Sequence, residues 1–267
     1  MPPRHALILG GALLLASGCK TIPDQAERPL EPQSPEVAPA STPEAEPTEA
    51  RPMPPRAPRA RPAAVADRHP ERLEMVRQQL RRRDITDPRV LEAMERVPRH
   101  RFIPEAGQAV AYADHPVPIG LRQTISQPYI VAYMTQAMET EPGHKILEIG
   151  TGSGYQAAVL AELVDAVYTI EIVAPLGERA RATLEDMGHD NIHFRIGDGY
   201  AGWAEAAPFD GIMLTAAPPQ IPQPLLDQLK VGGVMIAPVG RDRQELVKIR
   251  RTADGFDRQR VMGVRFV

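Results

Sequence analysis

Apolar and polar positions change rhythm twice along the folded part of this chain. Between residues 71 and 138 apolar residues recur every three or four positions, the period of a helix. Leu73, Val76 and Leu80 fall on one face, and Val90, Leu91, Met94 and Val97 on another. Asp87 stands where an N-cap belongs, with Pro88 in the first turn. Residues 104–127 break the period with Pro116, Pro118 and Gly120 and read as irregular, and a helix after Pro128 carries Ile130, Met134 and Met138 inward. From residue 145 short apolar runs alternate with helical stretches. They predict strands at 145–149, 166–171, 192–197, 209–215 and 233–238, and helices at 154–164, 174–187 and 223–230. This alternation implies an α/β fold, a mostly parallel central sheet with helices on both faces. After Gly240 the period falls to two. Residues 245–251 and 259–266 read as C-terminal antiparallel strands, with Asp254-Gly255 as a hairpin turn.

Candidate chemistry sits where the first of these strands ends. Lys145-Ile146-Leu147-Glu148-Ile149 runs into Gly150-Thr151-Gly152-Ser153-Gly154-Tyr155. Glycine at the first position permits a sharp turn into a helix, and the next two allow backbone to approach a ligand. The following strand ends in Glu171, which could accept hydrogen bonds from two ribose hydroxyls. A cofactor containing adenosine is expected. The third glycine comes one residue too early for the dinucleotide fingerprint, and Glu148 puts a carboxylate where a pyrophosphate would be repelled. S-adenosylmethionine, cationic and free of phosphate, suits Glu148, Gly150, Gly152, Ser153, Gly154 and Glu171 better. Gly150, Glu171 and Asp198 all fall at strand ends and can converge on one pocket.

Composition divides the chain. About half of the 29 prolines precede residue 71, and residues 20–70 are rich in Pro, Ala, Glu and Arg. Such a segment buries too little apolar surface to offset its ordering entropy and reads as a disordered linker. Residues 71–267 then form one domain. Residues 1–19 read as a leader: Arg4 and His5 precede an apolar run from Ala6 to Ala16, and Ser17-Gly18 lead into Cys19, the sole cysteine. The pattern is similar to a bacterial lipoprotein signal, in which Cys19 would be lipidated. A single cysteine excludes an intrachain disulfide and a CxxC metal site. His189 and His193 have helical metal spacing, but Asp190-Asn191 between them reads as a turn, so no metal is expected. A net charge of −3 and 4% aromatics offer nothing to a nucleic-acid backbone.

Further motifs make the pattern specific. Residues 97–104 read Val-Pro-Arg-His-Arg-Phe-Ile-Pro, followed by Tyr112, Pro118-Ile119-Gly120 and Gln123-Thr124-Ile125-Ser126-Gln127-Pro128-Tyr129. With the Glu148–Tyr155 turn, Gly197-Asp198-Gly199, Pro208-Phe209-Asp210, Thr215-Ala216-Ala217-Pro218-Pro219 and Val264-Arg265-Phe266-Val267, they closely resemble the protein-L-isoaspartate O-methyltransferases. The resemblance covers residue 71 to the end. It implies a Rossmann-like S-adenosylmethionine-dependent methyltransferase fold with an N-terminal helical addition. It also implies methyl transfer to the free carboxylate of L-isoaspartyl residues in damaged proteins and peptides, which then close to a succinimide. It assigns Ser126 as the catalytic residue, places substrate against Thr124, Ile125 and Ser126, and adds Asp198 and Gly199 to the cofactor residues. Two departures stand out. Arg122 occupies a position where the family commonly has glycine, and family chains usually continue past the Arg-Phe-Val tail.

The chemistry fits these assignments. A carboxylate is already ionised at neutral pH, so no general base is required. Rate comes from alignment and desolvation, and one serine hydroxyl can orient the carboxylate without adding charge. Alternatively Ser126 is a helix N-cap before Pro128, and Asp198 either bonds the adenine amino group or caps a turn. Neither Ser126 nor Ser153 lies in a GxSxG elbow, which excludes a serine hydrolase. A nucleic-acid amino methyltransferase would need an acidic or amide grip and an aromatic after the fourth strand, and Ala217-Pro218-Pro219-Gln220 has neither. A lipid-anchored protein that binds the cofactor without catalysis is the remaining rival. A monomer is expected. The leader says export, whereas the family is cytoplasmic, and Met75-Val76-Arg77-Gln78 resembles the point where family chains often begin.

Overall fold

A computed structural model describes residues 67–266. The leader, Cys19 and the linker as far as residue 66 lie outside the described residues. The described chain enters as α1 (His69–Met75), which widens into a π turn over Val76–Leu80. Helix α1 buries Arg72 and Met75, and Val76 and Leu80 continue that face through the π turn, whereas Leu73, expected inside, lies off this face and is exposed. Helix α1 starts two residues inside the stretch read as linker. It is anchored by Arg72, whose buried guanidinium donates to the Glu95 carbonyl and lies 3.1 Å from His69 Nδ1. Asp87 caps α2 (Pro88–Arg96) as expected, accepting the Arg89 N–H at 2.9 Å.

Residues 104–127 are more regular than their prolines suggest. A short 3-10 segment over Glu105–Val110 leads to a two-stranded antiparallel hairpin of β1 (Val117–Gly120) and β2 (Gln123–Ile125). A two-stranded ribbon has only edge strands, where Pro118 is tolerated. Leu121 and Arg122 form its turn with φ of 53° and 61°, the left-handed pair that matches the strand twist. Helix α3 (Pro128–Ala137) follows directly. Met134 and Met138 are buried as expected, while Ile130 is half-buried.

The remaining strands make one seven-stranded sheet. They are β3 (Lys145–Ile149), β4 (Ala166–Glu171), β5 (Ile192–Ile196), β6 (Phe209–Leu214), β7 (Leu229–Val239), β8 (Gln244–Arg251) and β9 (Phe256–Val264), in the order β5-β4-β3-β6-β7-β8-β9. The first five run parallel and the last two antiparallel. Helices α4 (Tyr155–Ala161), α5 (Ala174–Asp186) and α6 (Gln223–Gln228) supply the crossovers. Strand β7 begins four residues earlier than expected because Leu229 pairs with Phe209 and ends α6 at Gln228. Successive strand residues feed opposite cores. Ile146 and Val167 face α1 to α4, whereas Leu147 and Ile170 face Leu225 and Leu226 of α6. Strand β3 is the first of these in the chain yet lies inside the sheet, between β4 and β6. The chain moves out to β5 and returns to β6, which opens a crevice beyond the ends of β3 and β6, where such sheets bind ligands.

Candidate active site

A cleft of about 1270 Å³ occupies that crevice. One wall is the turn after β3, another the hairpin and start of α3, and the third the β7–β8 loop with the C-terminal stretch 263–266.

Gly150 adopts φ 100°, and its N–H donates to the Ile170 carbonyl at 2.8 Å. A Cβ there would meet Thr215 Oγ1 at 2.5 Å. The Thr215 hydroxyl in turn bonds the Ile149 carbonyl at 3.0 Å and the Gly150 carbonyl. Gly152 and Ser153 also line the cleft. Gly154 does not: its missing side chain leaves room for Leu184 and Ala180 of α5, so this glycine serves helix packing rather than ligand approach. Glu171 lines the cleft and braces the turn. Its Oε2 accepts the Gly152 N–H and its Oε1 the Val173 N–H, both at 2.8 Å. Each carboxylate oxygen keeps a second lone pair, enough for two ribose hydroxyls. Ile172 beside it is 67% exposed and offers an apolar face for a base.

Three more of the expected cofactor residues, besides Gly154, stand off the cleft. Glu148 is fully buried on the helix-covered face and does not line the cleft. Its Oε2 accepts from Thr169 Oγ1 at 2.5 Å, and Thr169 meets Thr151 Oγ1 at 2.6 Å. Burial pushes its carboxyl up to about 8, so at neutral pH it is protonated and presents no negative charge to a ligand. The even period of β3, which sends Glu148 the way of Ile146, is why. Asp198 follows β5 beside Glu171, whose carbonyl accepts the Gly197 N–H at 2.9 Å. It is exposed, and its Oδ1 accepts the Tyr200 N–H at 2.9 Å, capping a 3-10 turn. Gly199 fits closely under Ile149, where a Cβ would come within 2.5 Å of Cγ2. Neither residue lines the cleft.

On the facing wall Thr124, Ile125 and Ser126 all border the cleft. Ser126 is half-buried, and its hydroxyl makes no hydrogen bond with any described residue. It does not cap α3. That duty falls to Asp114, whose carboxylate accepts the Tyr129 N–H at 3.2 Å and the Gln127 side-chain amide at 2.8 Å. The 97–104 motif holds this wall in place. Buried Arg99 donates through Nε to the Ala111 carbonyl at 2.8 Å and lies 5.1 Å from the Tyr155 ring centre, while Phe102 packs edge-on to the same ring at 5.5 Å.

The sequence reading missed Gln156 and Gln244. Thr135 Oγ1 gives its proton to the Val131 carbonyl at 2.8 Å, so it must accept from Gln156 Nε2 at 2.9 Å. This fixes which way the Gln156 amide faces on the cleft wall. Gln244 clasps Phe266 at both ends of its amide, at 3.1 and 2.5 Å, and holds the C-terminal stretch against the cleft. A helical Gln two residues past the glycine turn was a usable signal for the first; the second depends on a long-range contact. Among the described residues no cluster of His, Cys, Asp or Glu could hold a metal ion. His193 lies on β5, stacked at 4.4 Å on Tyr168, and His189 in the turn before it.

The residues suit S-adenosylmethionine. Positive-φ glycines open the turn, Glu171 offers free acceptors, Ile172 offers apolar surface, and no Lys or Arg between 145 and 156 faces the cleft to hold a phosphate.

Known proteins agree. The family model for protein-L-isoaspartate(D-aspartate) O-methyltransferase matches residues 71–267. A protein-L-isoaspartate O-methyltransferase of Picosynechococcus sp. is 54% identical over 196 residues, covering 73% of this chain and 88% of that protein. A solved protein-L-isoaspartate O-methyltransferase superposes with a TM-score of 0.67 at 26% identity, over 74% of this chain; the chain spans 65% of that protein, just under two thirds. A Plasmodium falciparum structure of the same description, in complex with S-adenosyl-L-homocysteine, gives a TM-score of 0.63 at 27% identity, over 73% and 96% of the two chains. The chain belongs to the protein-L-isoaspartate(D-aspartate) O-methyltransferase family.

Proposed function

We propose that this chain transfers the methyl group of S-adenosyl-L-methionine to the free carboxylate of L-isoaspartyl residues in damaged proteins and peptides. The observation that carries the reading is the uncommitted Ser126 hydroxyl on the same cleft as the Gly150–Gly152 turn and Glu171. The cofactor supplies an electrophilic methyl on a sulfonium. Glu171 receives its ribose hydroxyls, Ile172 packs on its base, and Gly150 and Gly152 let it lie against backbone. Asp198 neighbours Glu171 without lining the cleft, and its Oδ2 would be left to accept from the adenine amino group. Ser126 donates one hydrogen bond to the isoaspartyl carboxylate, so that one oxygen is held and the other is aimed at the methyl group. Thr124 and Ile125 on β2 flank the peptide. The nucleophile is ionised without help, so alignment and exclusion of water by the walls carry the rate.

Labelled methyl transfer tests this. An isoaspartyl peptide should take up base-labile label while its aspartyl twin does not. Base-stable label would mean amine methylation. Cofactor binding with no transfer would favour the binding-only alternative.

The location we propose is outside the cytoplasm, with Cys19 lipidated. The leader, Cys19 and a spacer in that order support it. Arg72 argues separately against a start at Met75, which would remove the residue that ties α1 to Glu95. The intact mass of the native protein decides: a lipidated N-terminus at Cys19 is expected, and a chain beginning at Met75 refutes it.

A further inference from the structure

The third wall of the cleft has no task in methyl transfer as described above, yet it carries most of the cleft's unpaired charge. Arg241, Arg243 and Arg265 line it, and none makes an ion pair or hydrogen bond with another described residue. Two of the cleft's carboxylates have partners of their own. Glu171 accepts two backbone N–H groups, and Glu245 pairs with Arg260 at 3.1 Å. Asp242 lies between two of the arginines and offsets one of them, which leaves about two positive charges on this wall. The whole chain carries −3, so the local sign runs against the global one.

The wall is held in shape. Gly240 turns with φ 129° and packs so tightly on the Arg243 carbonyl that no side chain fits there. The Gln244 amide clasps Phe266 next to Arg265. Three arginines on the same cleft as Ser126, carried by a backbone held in this way, create a standing positive potential over the site. We propose that Arg241, Arg243 and Arg265 make this cleft select isoaspartyl sites flanked by acidic residues. The inference rests on the carboxyl-methylation reading and names the substrate class of that site.

Exposed charge pairs are individually weak, and two or three acting together give roughly a 10-fold preference. The test uses the full chain and three isoaspartyl peptides that differ only in carrying Glu, Ala or Lys at the residues two before and two after the isoaspartate. Expected kcat/KM falls from Glu to Ala to Lys, with about 10-fold between the extremes at low salt, and the spread collapses in about 0.5 M salt. In R241Q/R243Q/R265Q the Glu-to-Lys ratio should drop to roughly 2 or below. Equal rates for the three peptides, or a Lys preference, overturn the proposal. So does a uniform loss across all three in the variant, which would mean that the arginines act on the reacting carboxylate itself. If even the Ala peptide takes no methyl group, the methylation reading fails instead, so the two failures are distinguishable. The wild-type comparison and its salt dependence stand even if the triple variant folds poorly.

Discussion

The Asp114 carboxylate accepts the backbone N–H of Tyr129 at 3.2 Å and so caps the helix that Ser126 precedes. A residue at the far end of the 105–117 segment thereby relieves Ser126 of the commonest task of a serine before a helix. The two roles separate by mutation. Ser126→Ala should lower methyl transfer about 10- to 100-fold, the worth of one hydrogen bond to a charged group, with unchanged cofactor affinity and melting temperature. Asp114→Ala should cost about 1 kcal/mol of stability, read by chemical denaturation. A Ser126→Ala protein that loses stability and keeps its activity would show that the hydroxyl is structural after all.

Glu171 is bonded to Gly152 and Val173 at the point where the cleft meets β4. Glu171→Gln retains one acceptor oxygen and a similar shape. We expect it to remain folded and to bind S-adenosylmethionine about 10- to 100-fold more weakly by calorimetry, because charge-assisted hydrogen bonds are lost. Unaltered affinity would remove Glu171 from the cofactor site.

Burial raises Glu148 from its ordinary 4.5 to about 8. Between those values the folded chain holds a proton that the unfolded chain has released. The stabilising contribution is therefore complete below the unfolded value and is lost as pH rises toward 8, at up to about 1.4 kcal/mol per pH unit. Glu148→Gln keeps an acceptor for Thr169 and cannot ionise. Its stability should decline less between about pH 5 and pH 8 than that of the wild type. Parallel denaturation profiles for the two proteins would count against a protonated Glu148.

Arg122 occupies the hairpin turn with φ 61°, a region that costs a residue with a Cβ about 1–2 kcal/mol. Glycine removes that cost and gives back about 0.4–1 kcal/mol through a freer unfolded chain. Arg122→Gly should therefore stabilise the protein slightly, by about 0.5 kcal/mol. The glycine that the family commonly has here then reflects turn geometry rather than substrate contact. A destabilised Arg122→Gly protein would mean that the arginine side chain holds the hairpin.

Much of the architecture was legible from one dimension. The strands at 145–149 and 166–171 appear at their expected bounds, because a short β-rich run closed by glycines or acids has few other readings. The cap at Asp87 depends on its own neighbours alone. The hairpin at 117–125 was hidden because prolines that break a central strand are harmless in a two-stranded ribbon. Leu73 is exposed because α1 buries the face of Arg72 and Met75, and an apolar pattern does not select a buried arginine.

Local pattern alone determined that a glycine turn and Glu171 would meet at the end of a parallel sheet, since the positions of turns and strand ends follow from neighbouring residues. Tertiary structure decided what each side chain faces. Glu148 went into the core and lost its charge, Gly154 served a neighbouring helix, and Ser126 was left free because Asp114 took its place. Hydrogen-bond partners and dielectric surroundings come from segments far apart in the chain, and only the folded protein brings those segments together.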